Sequence, residues 1–128
     1  MTMDTASRPR VSVIMVDGDF RPSFHAVDSF CSQDLGQDAY EVLWVEHSSR
    51  VRQELSDRER IYPHFRVLCL GRSKPYHSSF CFNAGIAAAR ADVVFIPDGD
   101  VLVTPDFLRR ALEEHAADPR LALYFYRV

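Results

Sequence analysis

The chain has 128 residues, 47% of them hydrophobic, enough for one domain with a sizeable core and too few for two. Its 15 basic and 18 acidic residues leave a formal net charge of -3, so there is no general electrostatic attraction to nucleic acid or to an anionic membrane surface. The three cysteines, Cys31, Cys69 and Cys81, form no CxxC pair and sit among apolar residues, which reads as reduced, buried thiols of a cytoplasmic protein.

Residues 1–10 are polar and lack the apolar core of a signal peptide, and they read as a flexible leader to a single domain over 11–128. No later run approaches the roughly 18 apolar residues of a membrane span. The first apolar run, VSVIMV over 11–16, is short and β-branched and predicts a buried strand. It ends in the acidic triplet Asp17-Gly18-Asp19. Phe24, Val27 and Cys31 then share one helical face. A second strand is predicted over 40–45, with Trp44 inside it as a core residue, followed by the turn Glu46-His47-Ser48-Ser49. Val51 and Leu55 mark the next helix, in which Glu54 and Arg58 are spaced to pair across one turn.

The third strand is predicted over 66–70 and leads into a loop carrying Arg72 and Lys74. The segment 80–90 is a helix rich in small residues, with Phe82, Ile86 and Ala89 on one side and Gly85 allowing another backbone to approach. A fourth strand over 92–96 runs into a second triplet, Asp98-Gly99-Asp100. The last helix has Thr104 as its expected N-cap, Pro105 at its first position, a buried stripe of Phe107, Leu108, Ala111 and Leu112, and Pro119 as its stop. A fifth strand is predicted over 121–126.

This alternation of strands and helices predicts a Rossmann-like α/β domain, three layers deep, with a mainly parallel sheet truncated after the fifth strand. With no helix after that strand, one edge is expected to stand open, to be covered by a second copy or a partner chain. In such sheets ligands collect beyond the carboxyl ends of the strands. Both acidic triplets are predicted to lie at such ends. Two carboxylates either side of a glycine can converge on Mg²⁺ or Mn²⁺, which accepts few protein carboxylates and completes its shell with water and substrate phosphate. Asp-Gly is also among the commonest turn dipeptides.

The setting of the second triplet separates it from the first. The run FCFNAGIAAARADVVFIPDGDVLVTPDFL resembles the centre of the family 2 glycosyltransferases of GT-A fold, through Asn83, Gly85, Ile86, Asp98, Asp100, Pro105 and Leu108. The first two strands are similar to that family's first two, so the resemblance spans nearly the whole chain from Val11. It implies a nucleoside-diphosphate sugar as donor and the hydroxyl of a sugar or other molecule as acceptor. It also implies a divalent metal at Asp98 and Asp100, Glu46 facing the base or ribose, and Arg72 and Lys74 beside the phosphates with Asp98. Asn83 is expected to tie its helix to a neighbouring loop. In the family the acceptor half and the base of an inverting transfer come from sequence beyond the fifth strand, so no residue here is assigned as catalytic base.

Several positions depart from the family pattern. Val16-Asp17-Gly18-Asp19 stands where Pro-Thr-Tyr-Asn is usual, Glu46-His47-Ser48-Ser49 replaces an acid–acid–Gly–Ser turn, and Phe82 replaces a frequent Arg. The first triplet is also similar to the opening motif of haloacid-dehalogenase-type phosphatases, in which Asp17 would attack phosphate, Asp19 would protonate the leaving group, and Asp98 or Asp100 would hold Mg²⁺. A third reading is a non-catalytic nucleotide-binding module of the same fold. Two weaker constellations read as structural. His77 and Cys81 are two potential zinc ligands without a third, and His47 beside Ser48 and Ser49 lacks an orienting acid.

Overall fold

The computed structural model describes residues 8–120 and 122–124. Strands β1 (Val11–Asp17), β2 (Tyr40–Glu46), β3 (Phe65–Cys69) and β4 (Val93–Phe95) alternate with helices α1 (His25–Cys31), α2 (Gln53–Ile61), α3 (Ser78–Ala88) and α4 (Phe107–Ala117). All strand pairs are parallel, and the order across the sheet is β3-β2-β1-β4. Every residue of β1 and β2 is buried. Helices cover both faces of these central strands, which is why their sequences are continuously apolar rather than alternating.

The sheet divides the core in two. On one face Val13, Met15, Val42 and Trp44 pack with Phe24, Val27 and Phe30, with Leu55 of α2, and with Leu108 and Leu112 of α4. On the other, Ile14, Val16 and Val45 meet Cys81 of α3. The result is three layers, α1, α2 and α4 below the sheet and α3 above it. Each large side chain so buried contributes roughly 1.5–3 kcal/mol. Trp44 is fully buried and meets Phe24 edge-on, with ring centroids 5.3 Å apart.

Above the sheet the core also holds a charge. Glu41 is buried, yet its carboxylate accepts hydrogen bonds from Ser12 Oγ (2.6 Å), Arg90 N (2.7 Å) and Arg90 Nε (3.1 Å). Burial opposes its ionisation, but those bonds and the charge of Arg66 outweigh burial and hold its carboxyl below the usual range. The same bonds fasten the segment after α3 to the sheet.

Several local expectations change in three dimensions. The inward face of α3 is Cys81 and Gly85, while Ile86 is exposed and Phe82 and Ala89 are only partly covered. A Cβ on Gly85 would stand 2.5 Å from Ile14 Cγ2, so glycine is what lets the helix lie this close to the sheet. Arg58 turns away from the Glu54 carboxylate and pairs with Asp28 of α1 (2.8 Å), giving Glu54 only a bond to its backbone oxygen. Helix α4 begins at Phe107 rather than at Pro105, and the Thr104 hydroxyl donates to the Asp106 carboxylate instead of capping a backbone N–H. Cys31 and Cys81 are buried free thiols, whereas Cys69, at the end of the flanking strand β3, is exposed. Of the predicted fifth strand, 121–126, residues 122–124 are described and form no strand, while 121, 125 and 126, like residues 1–7 of the leader, lie outside the described residues. Within the leader's last residues Pro9 is buried and Arg8 reaches Asp92.

Candidate functional site

The chain runs outward from β1 to β2 to β3 and then crosses to the far side of β1 to form β4. That reversal opens a crevice at the carboxyl ends of β1 and β4, where ligands of such sheets sit. The first acidic triplet follows β1 and the second follows β4, so the two flank one crevice.

They are built differently. Asp17 is fully buried, and its Oδ1 accepts from the backbone N–H groups of Gly18 (2.8 Å), Phe20 (3.2 Å) and Arg21 (3.2 Å). Its Oδ2 is bound by Arg52 Nη2. Asp19 adopts a left-handed backbone (φ 64°), which an Asp tolerates better than most residues, and pairs with Arg52 Nε (3.1 Å) and Arg50 Nη1 (3.3 Å). Arg52 also lies over the Phe24 ring at 4.6 Å. These acids therefore fold the turn. With both oxygens of Asp17 engaged and none exposed, that carboxylate is not open to attack phosphate, and the phosphatase reading, which needs Asp17 as nucleophile, does not fit.

Glu46 ends β2 and is fully buried rather than solvated. Its Oε2 accepts from the backbone N–H (3.1 Å) and hydroxyl (2.9 Å) of Ser48, while its Oε1 has no partner. Burial, with Asp17 and Asp19 nearby, raises its pKa although the Ser48 bonds act the other way. His47 Nε2 is likewise buried and unpartnered. Tyr76, from the loop after β3, roofs this floor of strand ends. Its ring meets Phe20 edge-on at 5.0 Å and His47 at 5.6 Å, and a Cβ on Gly18 would stand 2.7 Å from it. Arg72 is half-buried with its guanidinium 3.9 Å above the Phe80 ring, and Lys74 is exposed. Asn83 is exposed and its side chain makes no hydrogen bond among the described residues, so it does not tie down a loop here. His77 caps α3, its Nδ1 accepting from Phe80 N (3.2 Å), and has no part in a zinc pair.

Asp98 and Asp100 are exposed on a turn closed by a bond from Val101 N to Asp98 O (3.3 Å), with Gly99 buried between them. Against that glycine lies the Arg21 side chain, so close that a Cβ on Gly99 would stand 2.5 Å from Nε. Among the described residues no three His, Cys, Asp or Glu groups converge as a self-sufficient metal centre. Two outward carboxylates do fit a hard cation that takes its remaining ligands from water and a bound diphosphate.

The chain matches Glycosyl transferase family 2 over residues 25–128 and belongs to that family. No curated protein sequence matches it. Among solved structures, the fold is similar to S. aureus TarS 1–349, at a TM-score of 0.72 and 18% identity over 84% of this chain and 32% of that one. It is also similar to the mannosyltransferase PcManGT from Pyrobaculum calidifontis, solved in complex with GDP-Man and Mn²⁺, at a TM-score of 0.70 and 24% identity over 85% of this chain and 33% of that one. TarS 1–349 in complex with UDP-GlcNAc gives a TM-score of 0.71 at 18% identity over 84% of this chain and 31% of that one. The chain thus spans about a third of these structures and shares their GT-A fold.

Arg21, Arg52 and Tyr76 are the site residues that sequence reasoning missed. Each reaches its place through pairing of segments distant in sequence. The parallel register that aligns Asp17 with Glu46 sets the turn after β1 beside the turn after β2, and so beside Arg52. Knowledge of the strand order would have been the signal.

Proposed function

We propose that this domain binds a nucleoside-diphosphate sugar at the crevice between β1 and β4, for transfer of the sugar to an acceptor hydroxyl with inversion. The observation that carries the reading is the exposed pair Asp98 and Asp100, standing at the switch point of a family 2 glycosyltransferase fold. Those two residues would hold Mn²⁺ or Mg²⁺. When bound, the cation would supply charge neutralisation for the departing diphosphate. Glu46, whose buried Oε1 lacks a partner, would meet a base or ribose N–H or O–H where the ligand displaces the Tyr76 roof, and Arg72 and Lys74 would flank the phosphates. No described residue is assigned as the base that deprotonates the acceptor.

Residues 11–128 would form one donor-binding unit in the cytoplasm, in keeping with its free cysteines. Among the described residues no helix is long and apolar enough to cross a membrane. A partner chain or a second copy would cover the open sheet edge, a reading supported by exposed Val94 and Ile96 at β4.

The test is a thermal-shift panel of UDP, GDP, dTDP and CDP with and without Mn²⁺, on the wild type and on Asp98→Asn and Asp100→Asn. One nucleotide should stabilise the wild type only with metal, and neither variant. Equal stabilisation of wild type and both variants sinks the assignment of the metal to this turn.

A further inference from the structure

We propose that Arg21 is a phosphate-binding residue of this site, meeting the donor diphosphate from the β1 side of the crevice while the 98–100 turn meets it from the β4 side; this rests on the donor reading above. The guanidinium lies against the backbone of Gly99, where an added Cβ would come 2.5 Å from Nε, 2.8 Å from Cδ and 3.1 Å from Cζ. Its Nε donates to the Val16 carbonyl (3.2 Å) at the end of β1. The cation is therefore fixed between the end of β1 and the backbone of the 98–100 turn. Its Nη nitrogens donate to no group among the described residues, whereas Arg52 and Arg50 are committed to Asp17 and Asp19. A cleft of about 270 Å³ opens beside it, lined by Phe20, Arg21, Ser23, His25, Asp100 and Leu102.

Charge balance assigns the role. A divalent cation between two carboxylates leaves the diphosphate charge to be met by basic side chains, Arg72 and Lys74 from the loop after β3 and Arg21 from the β1 side, and the arginines beside the first triplet are already taken up by its acids. A guanidinium held by one edge keeps its other donors for phosphate oxygens, the planar, bidentate geometry for which Arg is suited. Gly99 then has a reason beyond the turn. It makes the seat on which Arg21 lies.

The test measures Kd on the full chain with Mn²⁺ present, for the best nucleoside diphosphate of the panel by calorimetry and for its parent nucleoside by ligand-observed NMR. Arg21→Gln should weaken the diphosphate by about tenfold or more and leave the nucleoside unchanged, with Arg21→Lys in between, as expected for loss of a charge-assisted bond. Gly99→Ala, whose Cβ displaces the guanidinium, should weaken the diphosphate in the wild-type background and add little to Arg21→Gln. Thermal melts verify that each variant is folded. If Arg21→Gln stays within about twofold of wild type, or if nucleoside and diphosphate weaken together, the role is wrong. Strictly additive losses for Gly99→Ala and Arg21→Gln overturn the seat. Should the wild type bind no nucleoside diphosphate, the donor reading fails and Arg21's role with it; binding that survives Arg21→Gln removes only the latter.

Discussion

Arg52→Met is the most direct test of how the turn after β1 is held. Asp17 has no exposed surface and Arg52 little, so their contact is a buried ion pair, and the Met side chain keeps the apolar stem against Phe24 while removing the charge. Breaking one side of such a pair leaves a buried, unpaired charge and costs about 3–5 kcal/mol. Three backbone N–H groups still serve Asp17 Oδ1, which places the loss near the lower end, about 3 kcal/mol. For a domain of this size that lowers Tm by about 10 °C. Asp17→Asn should cost less, because the guanidinium keeps its ion pair with Asp19. In the double variant the two losses should fail to add, leaving a coupling of about 2 kcal/mol by urea denaturation. A loss below about 0.5 kcal/mol for Arg52→Met, or no coupling, would refute the ion pair and reopen a chemical role for Asp17.

Glu41→Gln should cost about 1–2 kcal/mol at neutral pH, a range reduced because its partners Arg66 and Arg90 are substantially exposed. Its folded pKa is depressed, so this stability is present above the ordinary carboxylate range and is lost as pH falls through the folded pKa. Denaturation of wild type and variant across that interval should converge at the acid end. Gly85→Ala should destabilise by about 1–2 kcal/mol, since its Cβ meets Ile14 at 2.5 Å and Val45 at 3.0 Å, and overpacking exceeds the gain in helix propensity; a stabilised variant in chemical denaturation would show that α3 lies farther from the sheet. With a chromogenic disulfide reagent, exposed Cys69 should react fast in the native protein. Cys31 and Cys81, buried with raised pKa values, should react only after unfolding, and three fast thiols would contradict their burial.

Much of the fold was legible because strand and helix signals are local. The β-branched runs of β1 and β2 and the small-residue character of α3 are properties of neighbours in sequence. The strand ends were also legible, and with them the position of Asp98, Asp100 and Glu46. What failed was anything set by partners far along the chain. The helical stripe of α3 was placed on Phe82 and Ile86 because these are its large apolar residues. The sheet instead selected Cys81 and Gly85, since only small groups fit above Ile14 and Val45. Arg58 likewise found the doubly hydrogen-bonded Asp28 a better partner than the exposed Glu54 one turn away.

By itself, the sequence determined a parallel α/β sheet with acids at three of its carboxyl ends, since periodicity and turn residues act over a few positions. Only the tertiary structure decided that the twin triplets differ. The register of β1 on β2 delivers Arg52 to Asp17 and Asp19 and converts them into a neutralised turn. The crossover of β4 to the other side of β1 leaves Asp98 and Asp100 exposed, with Arg21 lying against the backbone of Gly99. An acid is drawn into a turn by the opposite charge that the fold brings within a few ångströms, and no local pattern encodes that distance.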